Sequence, residues 1–157
     1  SHQWQLSSPF ISNGVTVSPY HISSALWDKT GSNIGRIGVI AHETLHFLGL
    51  PDLYDTNGGG SGVGSWSLMA NSWGADGSQR FPPGLAPWSK MQLGWVVPTE
   101  LSSTQQVNIK PAYTDNDYYI VRSGFATSRE YLLIENRQKI GFDSIIPRVS
   151  DLSEHDR

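Results

Sequence analysis

His42-Glu43-Thr44-Leu45-His46-Phe47-Leu48-Gly49-Leu50-Pro51-Asp52 decides how the rest of the chain is read. Around it, Ile37, Ile40, Ala41, Leu45 and Leu48 recur at three- and four-residue steps, the period of an amphipathic helix. The pattern predicts a helix over residues 33–48. Ser32 or Asn33 is expected to cap its start, and Gly49 followed by Pro51 to end it. Two histidines four residues apart lie on one helix face, so both imidazoles can reach one point. Glu43, one residue beyond His42, sits at the edge of that face.

This chemistry suits a metal. Neutral imidazole is a good Zn²⁺ ligand, and two His plus a carboxylate leave a fourth position open. Glu43 is then placed to serve the water and not the ion, as general base and acid. A Glu from a second helix, roughly twenty residues on, is not expected as third ligand. No Glu occurs between Glu43 and Glu100. The nearby carboxylates are Asp52, Asp55 and Asp76. Gly49 allows a sharp turn after the helix, because glycine alone enters left-handed geometry without penalty. That turn can bring Asp52 beneath the histidines, with Asp55 the next candidate. For both, the ordinary alternative is a carboxylate that caps a turn. Tyr54 reads two ways, as a contact to a developing oxyanion or substrate and as packing.

Outward from the helix, the organisation is turn-rich. Residues 3–22 read as short strands, with turns at Asn13-Gly14 and Ser18-Pro19. Residues 55–84, rich in Gly, Ser and Asn, read as a long ordered loop of the kind that usually carries function. Its Asn57–Gly62 run lacks the Lys-Ser/Thr of a phosphate loop and reads as a site rim. A short helix is expected from Pro87 to Leu93. Antiparallel strands are expected at Gln106–Lys110, Tyr118–Arg122 and Tyr131–Ile134, and a frayed tail from Ser150 to Arg157. Asp115-Asn116-Asp117 is a candidate Ca²⁺ site, or else a hairpin turn.

The 157 residues amount to one domain. Gly 16 and Pro 9 point to loops, while six Trp, six Tyr and five Phe exclude a disordered chain. A net charge of −3 argues against nucleic acid as a partner. No apolar run approaches the roughly 20 residues of a membrane helix. Cysteine is absent, which excludes disulfides, thiolate metal sites and a Cys nucleophile.

The run Gly38–Thr56, with His42-Glu43-x-x-His46-x-x-Gly49-Leu50-Pro51-Asp52-x-Tyr54-Asp55, resembles the active-site segment of the immune inhibitor A family of secreted metallopeptidases. Gly64-Ser65-Trp66-Ser67-Leu68-Met69 and Pro87-Trp88-Ser89-Lys90-Met91-Gln92-Leu93-Gly94-Trp95 continue the resemblance, which runs from about residue 37 to 97. It is looser in the strand-rich part at 104–137, where Tyr131–Arg137 resembles a family strand. Ser67 stands where the family often has Asp, and Asn71 near a position usually held by Gly.

The resemblance implies an α+β, zincin or metzincin-like catalytic domain and a secreted Zn²⁺ endopeptidase acting on proteins or peptides. It implies His42, His46 and Asp52 as ligands, Glu43 as catalyst, and Met69 as the residue of an apolar Met-turn beneath them. The family's propeptide, upstream strands and downstream domains are missing from residues 1–157. The chain is therefore expected to be an incomplete catalytic domain, with part of its helix or the neighbouring Trp-rich surface covered by another segment of the same parent polypeptide or by a partner chain. Two rival readings are a catalytically silent zinc-binding structural or adhesive domain, and a metal-free scaffold that makes contacts through Trp and Tyr.

Overall fold

The computed structural model describes residues 2–146. Its first element is a hairpin of β1 (His2–Ser12) and β2 (Val15–Ile22). Asn13 and Gly14 turn it with φ of 51° and 78°, the double positive φ of a type I′ turn that matches strand twist. The expected turn at Ser18-Pro19 does not form. Pro19 lies inside β2 opposite Gln5, next to a register slip between Gln5 and Phe10. A two-stranded ribbon has only edge strands, so the missing Pro N–H is tolerated there.

Helix α1 spans Ile37–Phe47, shorter than the expected 33–48. Neither Ser32 nor Asn33 caps it. The N-cap is Arg36, without a side-chain cap, because residues 25–35 close on themselves instead. Gly35 N–H donates to the Ala25 carbonyl at 2.6 Å, and Leu26 pairs with Ile34. The C-terminal end forms as expected. Gly49 adopts φ 88°, and the N–H groups of Gly49 and Leu50 donate to His46 and Leu45. That pair of bonds is a Schellman motif, which reverses the chain directly after the second histidine.

The long loop 55–84 contains one short 3₁₀ turn at Gly64–Trp66. Helix α2 (Pro87–Gln92) begins with Pro in its first turn and stops before Gly94. The last part is a three-stranded sheet of β3 (Thr99–Glu100), β4 (Tyr118–Val121) and β5 (Leu132–Glu135), in the order β3-β4-β5. β4 and β5 are antiparallel, but β3 joins β4 in parallel. The strand expected at Gln106–Lys110 is not formed. That segment is irregular, and its Ile109 carbonyl accepts from the Asn136 side chain. The tail from Ser150 to Arg157 lies outside the described residues.

Among the described residues the α+β architecture thus rests on two small sheets and two α-helices. Its main core is Leu45, Leu50, Leu68, Met69 and Leu85, with Ala41, Leu53 and Leu93 against it. Each large apolar side chain buried there contributes roughly 1.5–3 kcal/mol. A buried ion pair ties the last segment to this core. Arg137 Nε lies 3.1 Å from Asp143 Oδ2, and its guanidinium donates to the Trp66 and Leu85 carbonyls. Asp143 Oδ1 in turn accepts from Gly84 N–H at 2.7 Å. Burial pushes the neighbouring Glu135 carboxyl above its ordinary range, with Arg137 opposing.

Candidate metal centre

The turn at Gly49 places Leu50 and Asp52 back under α1. His42 Nε2, His46 Nε2 and Asp52 Oδ1 form a near-equilateral triangle with sides of 3.1, 3.2 and 3.3 Å. Ligand atoms of a tetrahedral site with bonds of about 2.0–2.1 Å stand about 3.3–3.4 Å apart, so the triangle has the dimensions of a zinc face.

The protons make the same point. His42 Nδ1 lies 2.9 Å from the Leu68 carbonyl, and His46 Nδ1 lies 2.7 Å from the Leu50 carbonyl. A carbonyl only accepts, so both Nδ1 atoms are the donors in these bonds. Both Nε2 atoms then face Asp52 Oδ1. Asp52 Oδ1, buried, has no hydrogen-bond partner. Two imidazole nitrogens and one carboxylate oxygen converging this closely form a ligand set that suits a divalent cation. Among the described residues, these are the His, Asp and Glu side chains that converge in this way.

Asp55 is elsewhere. Its carboxylate accepts from the N–H groups of Asn57 and Gly59 at 2.8 and 3.0 Å, closing the turn of the Gly-rich loop. Asp76 caps the Ser78 turn in the same manner. The Asp115-Asn116-Asp117 segment gives no support to Ca²⁺. Asp117 accepts from Lys110 N–H, Asp115 faces the Lys110 ammonium at 3.9 Å, and they join no metal-ligating trio among the described residues. Nor do they turn a hairpin, since the strand before them, β3, pairs with β4 in parallel.

Met69 is fully buried against Leu45, Leu50 and Leu68. It sits in a tight turn held by Ala70 and Asn71 N–H donating to the Ser67 carbonyl. The Ser67 hydroxyl accepts from Met69 and Ala86 N–H, the capping work that a carboxylate could also do there. Asn71 donates to Ser65 and Gly74 and accepts from Trp73 N–H, which organises the loop after the turn. Met69 O also accepts from Leu53 N–H at 2.9 Å, fixing the segment that carries Asp52.

Glu43 and Tyr54 line a cleft of about 310 Å³ at the His42 corner of the triangle, together with Val39, His42, Ala70, Ser72 and Trp73. Burial raises the Tyr54 phenol above its ordinary pKa, aided by the charge of and a hydrogen bond to Asp52, and by the charge of Glu43. Tyr54 thus lies beside Asp52 at the edge of the cleft. The Leu68 and Leu50 carbonyls were not legible as site groups, because a backbone oxygen leaves no trace in side-chain spacing. Arg137 lay in a stretch already noted for its resemblance, but without a role.

Residues 1–96 match the family model of the immune inhibitor A peptidase M6 catalytic domain. The chain is 36% identical over 97 residues to immune inhibitor A of Bacillus thuringiensis subsp. alesti, which covers 57% of this chain and 14% of that protein. It is 44% identical over 59 residues to the pre-pro-metalloprotease PrtV of Vibrio cholerae serotype O1 (strain M66-2), covering 36% of this chain and 6% of that protein. The chain thus spans about one seventh or less of the length of these curated relatives. No solved structure matches it. The chain belongs to the immune inhibitor A peptidase M6 family.

Proposed function

We propose that this member of the immune inhibitor A peptidase family hydrolyses peptide bonds in proteins as a zinc endopeptidase, with His42, His46 and Asp52 holding the ion. The observation that carries the proposal is the triangle of His42 Nε2, His46 Nε2 and Asp52 Oδ1 at 3.1–3.3 Å. When bound, the ion supplies a Lewis acid that polarises the scissile carbonyl and eases deprotonation of water.

The chain's own residues do the rest. Glu43, in the cleft beside His42, accepts the proton of the attacking water and returns it to the leaving amine. The Leu68 and Leu50 carbonyls keep both histidines in the tautomer that offers Nε2. Tyr54, next to Asp52, lines the peptide cleft. An Asp third ligand and the buried Met69 turn support a metzincin-like form of the zincin fold. Glu43 speaks against a silent structural zinc, which has no use for a general base.

The family points to secretion, and no helix among the described residues is long and apolar enough to cross a membrane. Ile37 and Leu48 are 47% and 55% exposed on the catalytic helix. This supports an incomplete catalytic domain over residues 1–157, covered there by other segments of its parent polypeptide. A casein cleavage assay with and without chelator tests the function. Cleavage abolished by chelator and restored by Zn²⁺ is expected. Zinc bound at one equivalent without cleavage by the parent polypeptide would favour the silent domain.

A further inference from the structure

Arg137 and Asp143 have no place in the chemistry above, yet their side chains are only 6% and 7% exposed. Both lie outside residues 1–96, which the family model matches. Arg137 follows β5, and Asp143 belongs to the 3₁₀ turn Gly141–Ile145. The backbone that they hold comes from two loop segments, 66–69 and 83–86.

A peptide unit is planar, so a bond at either end of it orients the whole plane. Arg137 donates to the Trp66 carbonyl and, at 3.0 Å, to the Leu85 carbonyl. Asp143 Oδ1 accepts from Gly84 N–H at 2.7 Å. Between these fixed points Leu68 N–H donates to the Gly84 carbonyl at 3.2 Å, the one backbone bond that joins the two segments among the described residues. The next plane carries the Leu68 carbonyl at one end and Met69 N–H at the other. That carbonyl meets His42 Nδ1 at 2.9 Å, and Met69 N–H donates to the Ser67 hydroxyl at 3.2 Å. The same hydroxyl accepts from Ala86 N–H. A path of hydrogen bonds therefore runs from Asp143 through Gly84 and Leu68 to His42. Arg137 braces the planes on either side of it, with Nε 3.1 Å from Asp143 Oδ2.

Gly84 lets the pair come this close. A Cβ there would lie 2.9 Å from Arg137 Nη2 and 3.5 Å from both Asp143 carboxylate oxygens. A buried ion pair is a weak source of stability, because desolvation offsets most of its attraction. It is a good source of direction, because guanidinium and carboxylate bond along set lines. The outer partners of a metal-binding histidine act in that way, by fixing the ring.

We propose that Arg137 and Asp143 are positioning residues for His42, so that the metal-holding unit extends from α1 to at least Asp143. The proposal rests on the zinc reading of the triangle.

The test uses the full chain, with Zn²⁺ in competition with a chelating dye. Asp143→Ala removes the acceptor of Gly84 N–H and should weaken zinc binding about tenfold, the low end for outer partners of a metal ligand. Asp143→Asn keeps an oxygen for that N–H and should stay within about threefold of the unaltered chain. Ile120→Ala, at a buried position of β4, removes apolar packing instead, and should lower stability while leaving zinc affinity unchanged. If Asp143→Ala does not fold, Arg137→Lys takes its place, since Lys keeps the charge but cannot span two carbonyls. Imidazole NMR on the metal-free proteins reads the same device without zinc. The His42 Nδ1–H signal should shift and exchange faster with water in Asp143→Ala than in Asp143→Asn or the unaltered chain. Should the unaltered chain bind no zinc, the zinc reading fails and this signal alone decides the proposal. A loss of zinc affinity in Ile120→Ala equal to that in Asp143→Ala, or a His42 signal that Asp143→Ala leaves unmoved, overturns it.

Discussion

His42 Nδ1 lies 2.9 Å from the carbonyl oxygen of Leu68, so the turn that buries Met69 also fixes the proton on the first histidine of the helix. Residues 26 positions apart are thereby made one unit. The helix supplies the two imidazoles at the right spacing. The chain reversal at Gly49 supplies Asp52 and the Leu50 carbonyl, and the loop supplies the carbonyl that orients His42. A change in any of the three segments acts on the same triangle.

Glu43→Gln separates holding the ion from using it. The amide keeps the shape of the side chain but cannot accept the water's proton. Zinc content should stay at one equivalent while turnover falls by about 10²- to 10⁴-fold. Metal analysis and peptide kinetics on the same preparation check this, and an unchanged rate would remove Glu43 from the reaction.

Gly38→Ala probes the seat of the helix. A Cβ at Gly38 would lie 2.0 Å from the Ser72 carbonyl oxygen and 3.1 Å from Gln79 Cβ. Alanine favours helix by up to about 1 kcal/mol, but overpacking against a backbone carbonyl costs typically about 1–3 kcal/mol. A net loss of stability is expected in urea unfolding, with the loop at 71–79 pushed away from α1.

Arg137→Met should be more damaging. It leaves Asp143 and Glu135 as buried carboxyls without their guanidinium, and strips donors from the Trp66 and Leu85 carbonyls. Removing one partner of a buried pair costs about 3–5 kcal/mol. Denaturant unfolding checks the value, and a loss under 1 kcal/mol would show that the ion pair does not lock the C-terminal segment to the core.

Asp28 offers a pH test of the loop that carries Trp27. The Asn33 side chain first, then the Thr30 hydroxyl and backbone N–H, hold its carboxyl at about 2, against 3.8 for a free side chain. A lowered folded pKa means that the contribution to stability is complete above about 4 and is lost as pH falls toward about 2. A carboxyl carbon NMR titration should put the Asp28 midpoint near 2. A midpoint near 3.8 would mean that the loop bonds are not formed in solution.

Much of the site was legible because its information is local. Histidine spacing, Gly49 and the Pro51-Asp52 step all lie within eleven residues, and helix period plus one left-handed glycine suffice to bring them together. The hairpin turn at Asn13-Gly14 was readable for the same reason. The helix start was not, because residues 25–35 bond among themselves and end at Arg36 without any side-chain cap. The strand at Gln106–Lys110 was misread, since its alternation is satisfied by side chains such as Asn136 and not by a neighbouring ladder. Thr99–Glu100 became the third strand through a parallel pairing that two residues cannot announce.

The most direct measurement of the central claim is an anomalous difference map at the zinc edge from crystals of the protein with bound zinc. The account predicts one strong peak within about 2.0–2.2 Å of His42 Nε2, His46 Nε2 and an Asp52 oxygen. A peak at other residues, with His42, His46 and Asp52 left around no density, would contradict it.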